Sequence, residues 1–254
     1  MKILSRNING IRAIWNKWFV DTIQTLNPDI VCLQEPKAFV SQLTDQMKDL
    51  WLWYHLLWHT GTRPGYAGTC IYSRQTPDYV INHFDNPNLH IDGRTVEIGY
   101  QGLTLINCYF PNGGTRADGT EMLTYKMQFY DLMMSYLNTK SHHTMIVGDF
   151  NIAHTEQDIA RPQENINTIW FTVWERNKLT QFLDQWWVDT FRHYYPDTVE
   201  YTWRSVRSWA RARNIWWRLD YACVHQDLLS SVQSIIHHTH ILWSDHCPVE
   251  IVLN

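Results

Sequence analysis

The chain has 254 residues and a formal net charge of −4, with 44% hydrophobic and 18% charged residues. This balance excludes a disordered chain and is typical of a globular protein that buries a substantial core. No apolar run approaches the roughly 18 residues of a membrane span, so we expect no contact with a membrane.

Continuous and alternating apolar runs predict eight strands and four helices. The predicted strands are residues 2–5, 30–33, 69–73, 95–98, 103–109, 144–147, 220–224 and 249–253. The predicted helices are residues 15–26, 40–49, 123–137 and 175–185. In helix 123–137, apolar residues spaced by three or four positions predict one buried stripe, formed by Leu123, Met127, Tyr130, Met134 and Leu137. Many strands with a few amphipathic helices predict an α/β protein in which helices cover two packed sheets.

No linker, charge block or repeat divides the sequence, which predicts a single domain over residues 1–254. The first residues become polar too quickly for a secretory signal. The five cysteines are odd in number and lack the spacing of metal ligands. We therefore expect buried free thiols, a cytoplasmic location and a monomeric protein.

Polar side chains follow several predicted strands at the point where each strand ends. They are Asn7, Glu35, Tyr109 with Asn112, Asp149 with Asn151, Asp220, and Asp245 with His246. An acid two residues before an amide, as in Asp149 and Asn151, places both side chains on one side of a strand. Acids, amides and an imidazole gathered at one edge are suited to metal-assisted hydrolysis of a phosphate ester. The sequence therefore predicts a catalytic rim.

A basic and aromatic segment contrasts with the acidic chain. Between residues 204 and 218 there are five arginines and no acid, with tryptophans between them. Such a segment favours a local phosphate-binding surface, and a solvated loop is the alternative.

The ordered motifs resemble the exonuclease III family of abasic-site endonucleases, within the endonuclease/exonuclease/phosphatase superfamily. The matching segments are NINGIR (7–12), LQE (33–35), YFPN (109–112), GDFNIAH (148–154), DTFR (189–192), ARARN (210–214), WRLDY (217–221) and SDHCP (244–248). They extend over nearly the whole chain. The resemblance implies a four-layer αββα sandwich, in which helices flank two packed, mainly antiparallel sheets and the active site lies at one edge.

The resemblance also implies a metal site. Glu35 would bind Mg²⁺, or Mn²⁺ as a substitute, with Asn7 beside it and Asp245 close enough to bind or position the ion. Mg²⁺ prefers hard oxygen ligands of this kind.

Catalytic roles follow from the same resemblance. Asp149 would orient or deprotonate the attacking water, and Asn151 would hold the geometry. His246, paired with Asp220, would stabilise charge on the phosphate oxygens. Tyr109 would hydrogen-bond the phosphate or assist the leaving oxygen.

The substrate implied by the resemblance is double-stranded DNA with abasic sites or blocked 3′ ends. Trp203, Trp217 and Leu219 would form a pocket for a sugar that lacks its base, with Arg211 and Asn214 as further substrate-binding residues. The expected activity is a nick 5′ to the abasic site, with 3′→5′ exonuclease and 3′-phosphatase or phosphodiesterase activity. Two alternatives are a small-molecule or lipid phosphodiesterase of the same superfamily and a catalytically impaired DNA-binding relative.

The chain departs from the family in one consistent direction. Tryptophan stands where the family has glycine at Trp170, Trp186, Trp216 and Trp243, and arginine stands where it has tryptophan at Arg6 and Arg204. An indole at a glycine position should cost roughly 1–3 kcal/mol in strain or overpacking. We interpret the pattern as the result of a variant genetic code. A codon that means glycine has been translated as tryptophan, and codons that mean tryptophan have been translated as arginine. An intact mass of the native protein that matches the printed sequence would contradict this interpretation.

Overall fold

The computed structural model describes residues 1–15, 19–50, 54–61, 63, 65–82, 86–87, 92–205, 216–241 and 243–254. The strands are β1 (Lys2–Asn7), β2 (Ile30–Gln34), β3 (His55–His59), β4 (Thr69–Ser73), β5 (Tyr79–Ile81), β6 (Thr95–Tyr100), β7 (Leu103–Tyr109), β8 (Thr144–Asp149), β9 (Trp187–Asp189), β10 (Trp203–Arg204), β11 (Trp216–Trp217), β12 (Asp220–His225), β13 (Val232–His237) and β14 (Val249–Leu253). The α-helices are α1 (Ile11–Ile14), α2 (Val20–Leu26), α3 (Asp45–Asp49), α4 (Leu123–Leu137), α5 (Val173–Leu183) and α6 (Thr190–Tyr194).

Two six-stranded sheets form the centre of the fold. Their strand orders are β13-β14-β1-β2-β4-β3 and β5-β6-β7-β8-β12-β9. Within them only the pairs β1–β2 and β7–β8 are parallel. A shared core fills the space between the sheets, with Ile3 and Ile251 from the first sheet and Leu105 and Val147 from the second. The prediction of two packed, mainly antiparallel sheets is confirmed.

Helices cover the outer face of each sheet. Phe129 of α4 and Phe182 of α5 belong to the apolar cluster that includes Ile106 and Ile146 of the second sheet. Residues of α1, α2 and α3 pack in the same way on the first sheet. The chain therefore has four layers, as the family resemblance implied. In the described residues no helix is long and apolar enough to cross a membrane.

All eight predicted strands are present, and the prediction for helix 123–137 is confirmed with its bounds. The buried stripe of that helix differs from the prediction, because Leu123 and Met127 are only half-buried. The buried residues are Lys126, Phe129, Tyr130, Met133, Met134 and Leu137. Predicted helix 40–49 is a 3₁₀ turn followed by the short α3, and part of predicted helix 15–26 lies outside the described residues. All five cysteines are free and buried, as expected.

Gly148 allows β7 and β8 to approach closely beside the predicted catalytic rim. It has a φ of +141°, and a Cβ at this position would lie 1.9 Å from the carbonyl oxygen of Cys108. No L side chain fits such a gap. The parallel register that results places Tyr109 directly opposite Asp149.

A buried ion network lies beneath the sheet edge and accounts for one arginine of the basic segment. Arg218 Nε lies 2.8 Å from Asp158 Oδ1, and Arg218 Nη2 lies 2.7 Å from Asp189 Oδ2. Arg192 contacts the same oxygen of Asp158 at 2.6 Å. The Arg218 side chain is 0% exposed, so Arg218 does not contribute to a phosphate-binding surface.

We expect this network to make the stability of the protein sensitive to acid. Burial opposes ionisation of Asp158, but Arg218 and Arg192 together hold its pKa well below its usual range. A lowered pKa contributes stability above the unfolded value near 3.8, and that stability is lost as the pH falls through the folded value. Below about pH 4, the free energy of unfolding measured in urea should fall more steeply with decreasing pH for the parent chain than for Asp158→Asn. Equal pH slopes would contradict the prediction.

Two tryptophans at family glycine positions adopt left-handed backbone conformations. Trp170 has a φ of 77° and Trp186 a φ of 74°. A bulky residue in this region is an outlier that glycine would relieve. The backbone at both positions therefore agrees with the interpretation that the native residues are glycines.

Trp186 offers a direct test of this strain, because its side chain is 64% exposed. We expect Trp186→Gly to be more stable than Trp186→Ala by roughly 1 kcal/mol, since only alanine keeps the Cβ that penalises a left-handed residue. Both variants lose the indole, so each is the other's control. Thermal or urea unfolding measures the difference, and an alanine variant as stable as the glycine variant would argue against strain.

Arg6 and Arg204, which stand at family tryptophan positions, each stack on a tryptophan that stands at a family glycine position. The Arg6 guanidinium carbon lies 3.3 Å from the ring centroid of Trp243, and that of Arg204 lies 4.2 Å from the ring of Trp216. Arg6 is 1% exposed, and its Nε and Nη1 atoms have no hydrogen-bond partner among the described residues. Burial lowers the pKa of Arg6 to about 9. With tryptophan in place of Arg6 and glycine in place of Trp243, an indole would fill the same space without a buried charge. The same exchange applies to Arg204 and Trp216.

Candidate active site

A cleft of about 490 Å³ opens at the edge where the strands of both sheets end. Its lining residues are Asn9, Glu35, Asn112, Asp149, Asn151, Trp170, Trp203, Ser205, Leu219, Asp245 and His246. Most of these come from the segments that the sequence predicted for the rim. The structure therefore brings the predicted acids, amides and imidazole to one side of the molecule.

Asn7 joins the two sheets at the floor of this cleft. It is the last residue of β1 and is 1% exposed. Its Nδ2 donates to Glu35 Oε1 at 3.1 Å and to Asp149 Oδ2 at 2.9 Å. Its Oδ1 accepts a hydrogen bond from the backbone of Asn9 at 3.0 Å. Asn7 thus fixes the position of one carboxylate from each sheet.

Glu35 presents an ionised carboxylate to the cleft. It follows β2 with a left-handed φ of 53°. Its Oε2 lies 2.5 Å from Lys37 Nζ, and the phenol of Tyr109 donates to its carboxylate. Burial opposes ionisation, but Lys37, Tyr109 and Asn7 together lower the pKa of Glu35. Because the lysine ammonium already pairs with this oxygen, the position suits a cation.

Asp245 is a second carboxylate that lines the cleft. Its Oδ2 accepts from Trp203 Nε1 at 3.3 Å, and its Oδ1 accepts from Ser244 Oγ at 3.1 Å. Burial opposes ionisation, but His246, Ser244 and Asn9 lower its pKa. The hard oxygens of Glu35 and Asp245 are the donors that a divalent cation of the Mg²⁺ class takes.

His246 lies between two buried aspartates. Its Nδ1 is 2.8 Å from Asp220 Oδ2, and its Nε2 is 3.9 Å from Asp149 Oδ2. These three side chains also offer ligand atoms within 4.8 Å of one another. Burial disfavours the charged imidazole, but Asp220 and Asp149 raise the pKa of His246 to about 10. The imidazole is therefore a cation at neutral pH.

Asp149 is the carboxylate best suited to exchange a proton near neutral pH. It ends β8 opposite Asp220, the first residue of β12. Burial raises its pKa to about 7, with a further contribution from Asp220 and an opposing one from His246. A base works most effectively when its pKa lies near the working pH.

Asn151 holds the loop that follows Asp149. Its backbone N–H donates to Asp149 Oδ1 at 2.9 Å, and its Nδ2 donates to the carbonyl oxygen of Phe110 at 2.9 Å. Beneath it, Lys126 Nζ donates to the carbonyl oxygen of Asn151 at 2.6 Å and pairs with Glu175 at 2.5 Å. Both charged side chains are 0% exposed. The helical pattern did not predict this pair, because it indicated an apolar stripe.

Tyr109 lies at the back of the site and is 7% exposed. Burial raises the pKa of its phenol well above the usual value, as does the neighbouring Glu35 carboxylate. The guanidinium of Arg94 lies 5.0 Å from its ring centroid. The phenol is therefore protonated, and it can donate a hydrogen bond but cannot act as a base.

In the proposed sugar pocket, Trp170 takes the lining position that the sequence assigned to Trp217. Trp203 and Leu219 line the cleft, whereas Trp217 is 3% exposed and belongs to the core behind it. Trp170 stands in front, with its ring centroid 5.1 Å from Trp203 and 5.3 Å from Trp217. Trp170 Nε1 donates to the carbonyl oxygen of Asn112 at 3.0 Å. The remaining predicted contacts, Arg211 and Asn214, lie outside the described residues.

Two more residues of the site were missed in the sequence, although each has a local signal. Lys37 and Asn9 each follow a predicted site residue by two positions, at the end of β2 and of β1. Lys37 Nζ donates to Asn9 Oδ1 at 2.6 Å, and Asn9 Nδ2 reaches Asp245 at 3.4 Å. They link the two carboxylates that flank the cleft. The whole arrangement combines a cation site, a carboxylate base and an imidazolium, as phosphodiester hydrolysis requires.

Comparison with known proteins gives one consistent family. Residues 7–246 match the Endonuclease/Exonuclease/phosphatase family. The chain is 35% identical over 258 residues to an exodeoxyribonuclease of Bacillus subtilis, covering 100% of both chains. It is 32% identical to a DNA-(apurinic or apyrimidinic site) endonuclease of Dictyostelium discoideum, covering 100% of this chain and 71% of that one.

Solved structures show the same architecture. An AP endonuclease from Archaeoglobus fulgidus superposes with a TM-score of 0.88 at 25% identity, covering 100% of this chain and 99% of that one. A 3′-5′ exonuclease from Neisseria meningitidis gives a TM-score of 0.87 at 26% identity, with complete coverage of both chains. Fold, cleft and sequence agree: the chain belongs to the endonuclease/exonuclease/phosphatase family, a family of metal-dependent nucleases and other phosphodiester hydrolases.

Proposed function

We propose that this protein is a Mg²⁺-dependent DNA repair nuclease that hydrolyses the phosphodiester bond 5′ to an abasic site. The observation that carries the proposal is the contact between Asp149 and the His246–Asp220 pair in a cleft that also contains Glu35. Relatives named as exodeoxyribonuclease and as apurinic-site endonuclease support DNA as the substrate. We further propose 3′→5′ exonuclease and 3′-phosphatase or phosphodiesterase activity at the same site, and the 3′-5′ exonuclease of Neisseria meningitidis supports the first of these.

Each candidate catalytic residue has a separate role in the proposed reaction. Asp149 accepts the proton of the attacking water, and Asn151 keeps the carboxylate oriented through its backbone N–H. The His246 imidazolium donates hydrogen bonds to the phosphate oxygens, and Asp220 holds the ring. Tyr109, whose phenol stays protonated, exchanges its hydrogen bond to Glu35 for one to the phosphate or to the leaving oxygen. Charge that develops on the phosphate thus faces donors that are already in place.

Glu35 and Asp245 would hold the metal ion, with Asn7 beside them. Mg²⁺, or Mn²⁺ as a substitute, would supply positive charge against the phosphate when bound. Among the residues described, the pairing of Glu35 with the Lys37 ammonium supports a cation at this position.

The substrate pocket would accept a deoxyribose without its base. Trp203 and Leu219 form apolar walls that suit a sugar without a base, and a glycine at position 170 in place of Trp170 would widen the pocket. We assign Arg211 and Asn214 to contacts with the DNA on the strength of the sequence motif alone. We further propose one domain acting as a cytoplasmic monomer, because the cleft needs residues from both sheets and the five thiols are free.

Cleavage of a labelled duplex with one abasic site, with Mg²⁺ and again with EDTA, tests the proposal. We expect a metal-dependent nick on the 5′ side and no nick in a matched undamaged duplex. Trp243→Gly, together with glycine at positions 170, 186 and 216, is the second variant to assay if the printed chain is inactive. DNA binding without cleavage by both chains would favour the impaired relative, and hydrolysis of small phosphodiesters but not DNA would favour the phosphodiesterase reading.

A further inference from the structure

A second cluster of ligating side chains lies at the other end of the two strands that carry the candidate active site. β8 and β12 run antiparallel, with Asp149 opposite Asp220 at one end and Met145 opposite Val224 at the other. His142 comes just before β8, His225 is the last residue of β12, and Asp227 lies in the following 3₁₀ turn. At about 3.4 Å per residue, this cluster is about 17 Å from the active-site cleft.

The three side chains converge on one carboxylate oxygen. His142 Nδ1 lies 2.7 Å from Asp227 Oδ2, and His225 Nδ1 lies 3.7 Å from the same oxygen. The two imidazole rings are stacked, with their centroids 4.4 Å apart and their planes 14° from parallel. One ligand atom from each residue lies within 4.8 Å of the others.

We propose that His142, His225 and Asp227 bind one transition-metal cation of the Zn²⁺ class. Two imidazole nitrogens and a carboxylate oxygen form a donor set that zinc takes in proteins, with water as the fourth ligand. Mg²⁺ is a poor fit, because it requires oxygen ligands in a near-octahedral arrangement. The site is independent of the proposed nuclease activity.

Two contacts hold the His225 ring of the cluster in place. The edge of the Trp187 ring packs on His225, with the ring centroids 6.1 Å apart. The backbone N–H of Asp227 donates to His225 Nδ1 at 3.3 Å, which orients the ring and would yield to the metal.

Access to the cluster is open. The His142 side chain is 71% exposed and that of Asp227 is 47% exposed, whereas the His225 side chain is 12% exposed. One fixed imidazole therefore lies beside two ligands that solvent reaches freely. Because the two rings are nearly parallel, the exposed His142 ring would turn out of the stack, so that each imidazole directs an in-plane lone pair at the same ion. A bound ion would join the segment before β8 to the turn after β12 and so tie the two neighbouring strands together.

Calorimetric titration of the full chain with Zn²⁺, in excess Mg²⁺ to saturate the active-site cleft, tests the proposal. We expect one Zn²⁺ per chain, and we expect His142→Ala and Asp227→Asn each to weaken binding by at least ~10-fold. His193→Ala is the matched control, since His193 is also exposed and lies outside the cluster. Co²⁺ in place of Zn²⁺ should give the visible absorption of a tetrahedral site, lost in His142→Ala.

Three outcomes would overturn the proposal. They are the absence of Zn²⁺ binding by the parent chain, equal affinity in His142→Ala, and binding that only Asp149→Asn removes. The last would place the ion in the active-site cleft. Urea unfolding of His142→Ala without added metal should match that of the parent chain, which shows that the variant is folded.

Discussion

Replacing Asp149 with asparagine is expected to lower the rate of strand cutting by ~100-fold or more while leaving the fold intact. Asparagine has nearly the same shape, but it cannot accept the proton of the attacking water. Burial and Asp220 raise the pKa of Asp149 to about 7, so its charged form is disfavoured in the folded chain. A neutral amide should therefore leave the free energy of unfolding at neutral pH unchanged or larger.

Single-turnover cleavage of an abasic duplex measures this effect, and urea unfolding measures the stability of the same sample. Asp184→Asn is the matched control, because Asp184 is exposed at the end of α5. An Asp149→Asn variant that retains a tenth of the parent activity would remove Asp149 from its proposed role. A variant that loses both activity and stability would instead show that the carboxylate is structural.

Replacing Arg218 with methionine is expected to reduce the free energy of unfolding by ~3–5 kcal/mol. Arg218 is 0% exposed and lies between Asp158 and Asp189. Methionine fills a similar volume but leaves two buried carboxylates without their shared cation. Arg192 still reaches Asp158 at 2.6 Å, which favours the lower end of the range.

An exposed ion pair of the same chain provides the comparison. Arg161 lies 3.4 Å from Glu164, and their side chains are 46% and 68% exposed. Arg161→Met should change the stability by less than about 1 kcal/mol, since surface pairs contribute little. Urea unfolding at neutral pH measures both variants. Equal losses of stability in the two variants would mean that the buried ion pairs of Arg218 stabilise the protein no more than an exposed pair does.

The sequence predicted the strands best where they are buried and paired along their whole length. Central strands such as β7 and β14 were predicted with their bounds, because runs of buried apolar residues identify them. The other six strands were missed, and four of them, β3, β5, β9 and β13, are the edge strands of the two sheets. β3 is an edge strand, and its sequence HLLWH is mostly half-exposed; β13 is also at an edge and mixes buried and exposed residues. Edge strands have only one paired neighbour, so their side chains carry a weaker pattern.

The candidate site was predictable where strand ends carry unusual polar residues. Asn7, Glu35, Asp149 and His246 meet because the strand ends of the two packed sheets lie at one edge. The supporting groups were not predictable in the same way. Lys126 and Glu175 are far apart in the sequence and pair inside the protein, and only the packing of α4 against α5 brings them together. The position of Trp170 in the cleft likewise depends on a left-handed backbone that favours glycine.

The pairing of β1 with β14 has a consequence for the order in which the protein matures. Lys2 lies opposite Val252, so the first and last strands of the described chain are neighbours in one sheet. During synthesis from the N-terminus, Asn7, Glu35 and Asp149 emerge well before His246, which precedes β14. The imidazole can then take its place only when the final strand docks and closes the sheet. On the proposed roles, a nascent chain that has not yet reached His246 and β14 lacks the imidazolium and carries no cutting activity.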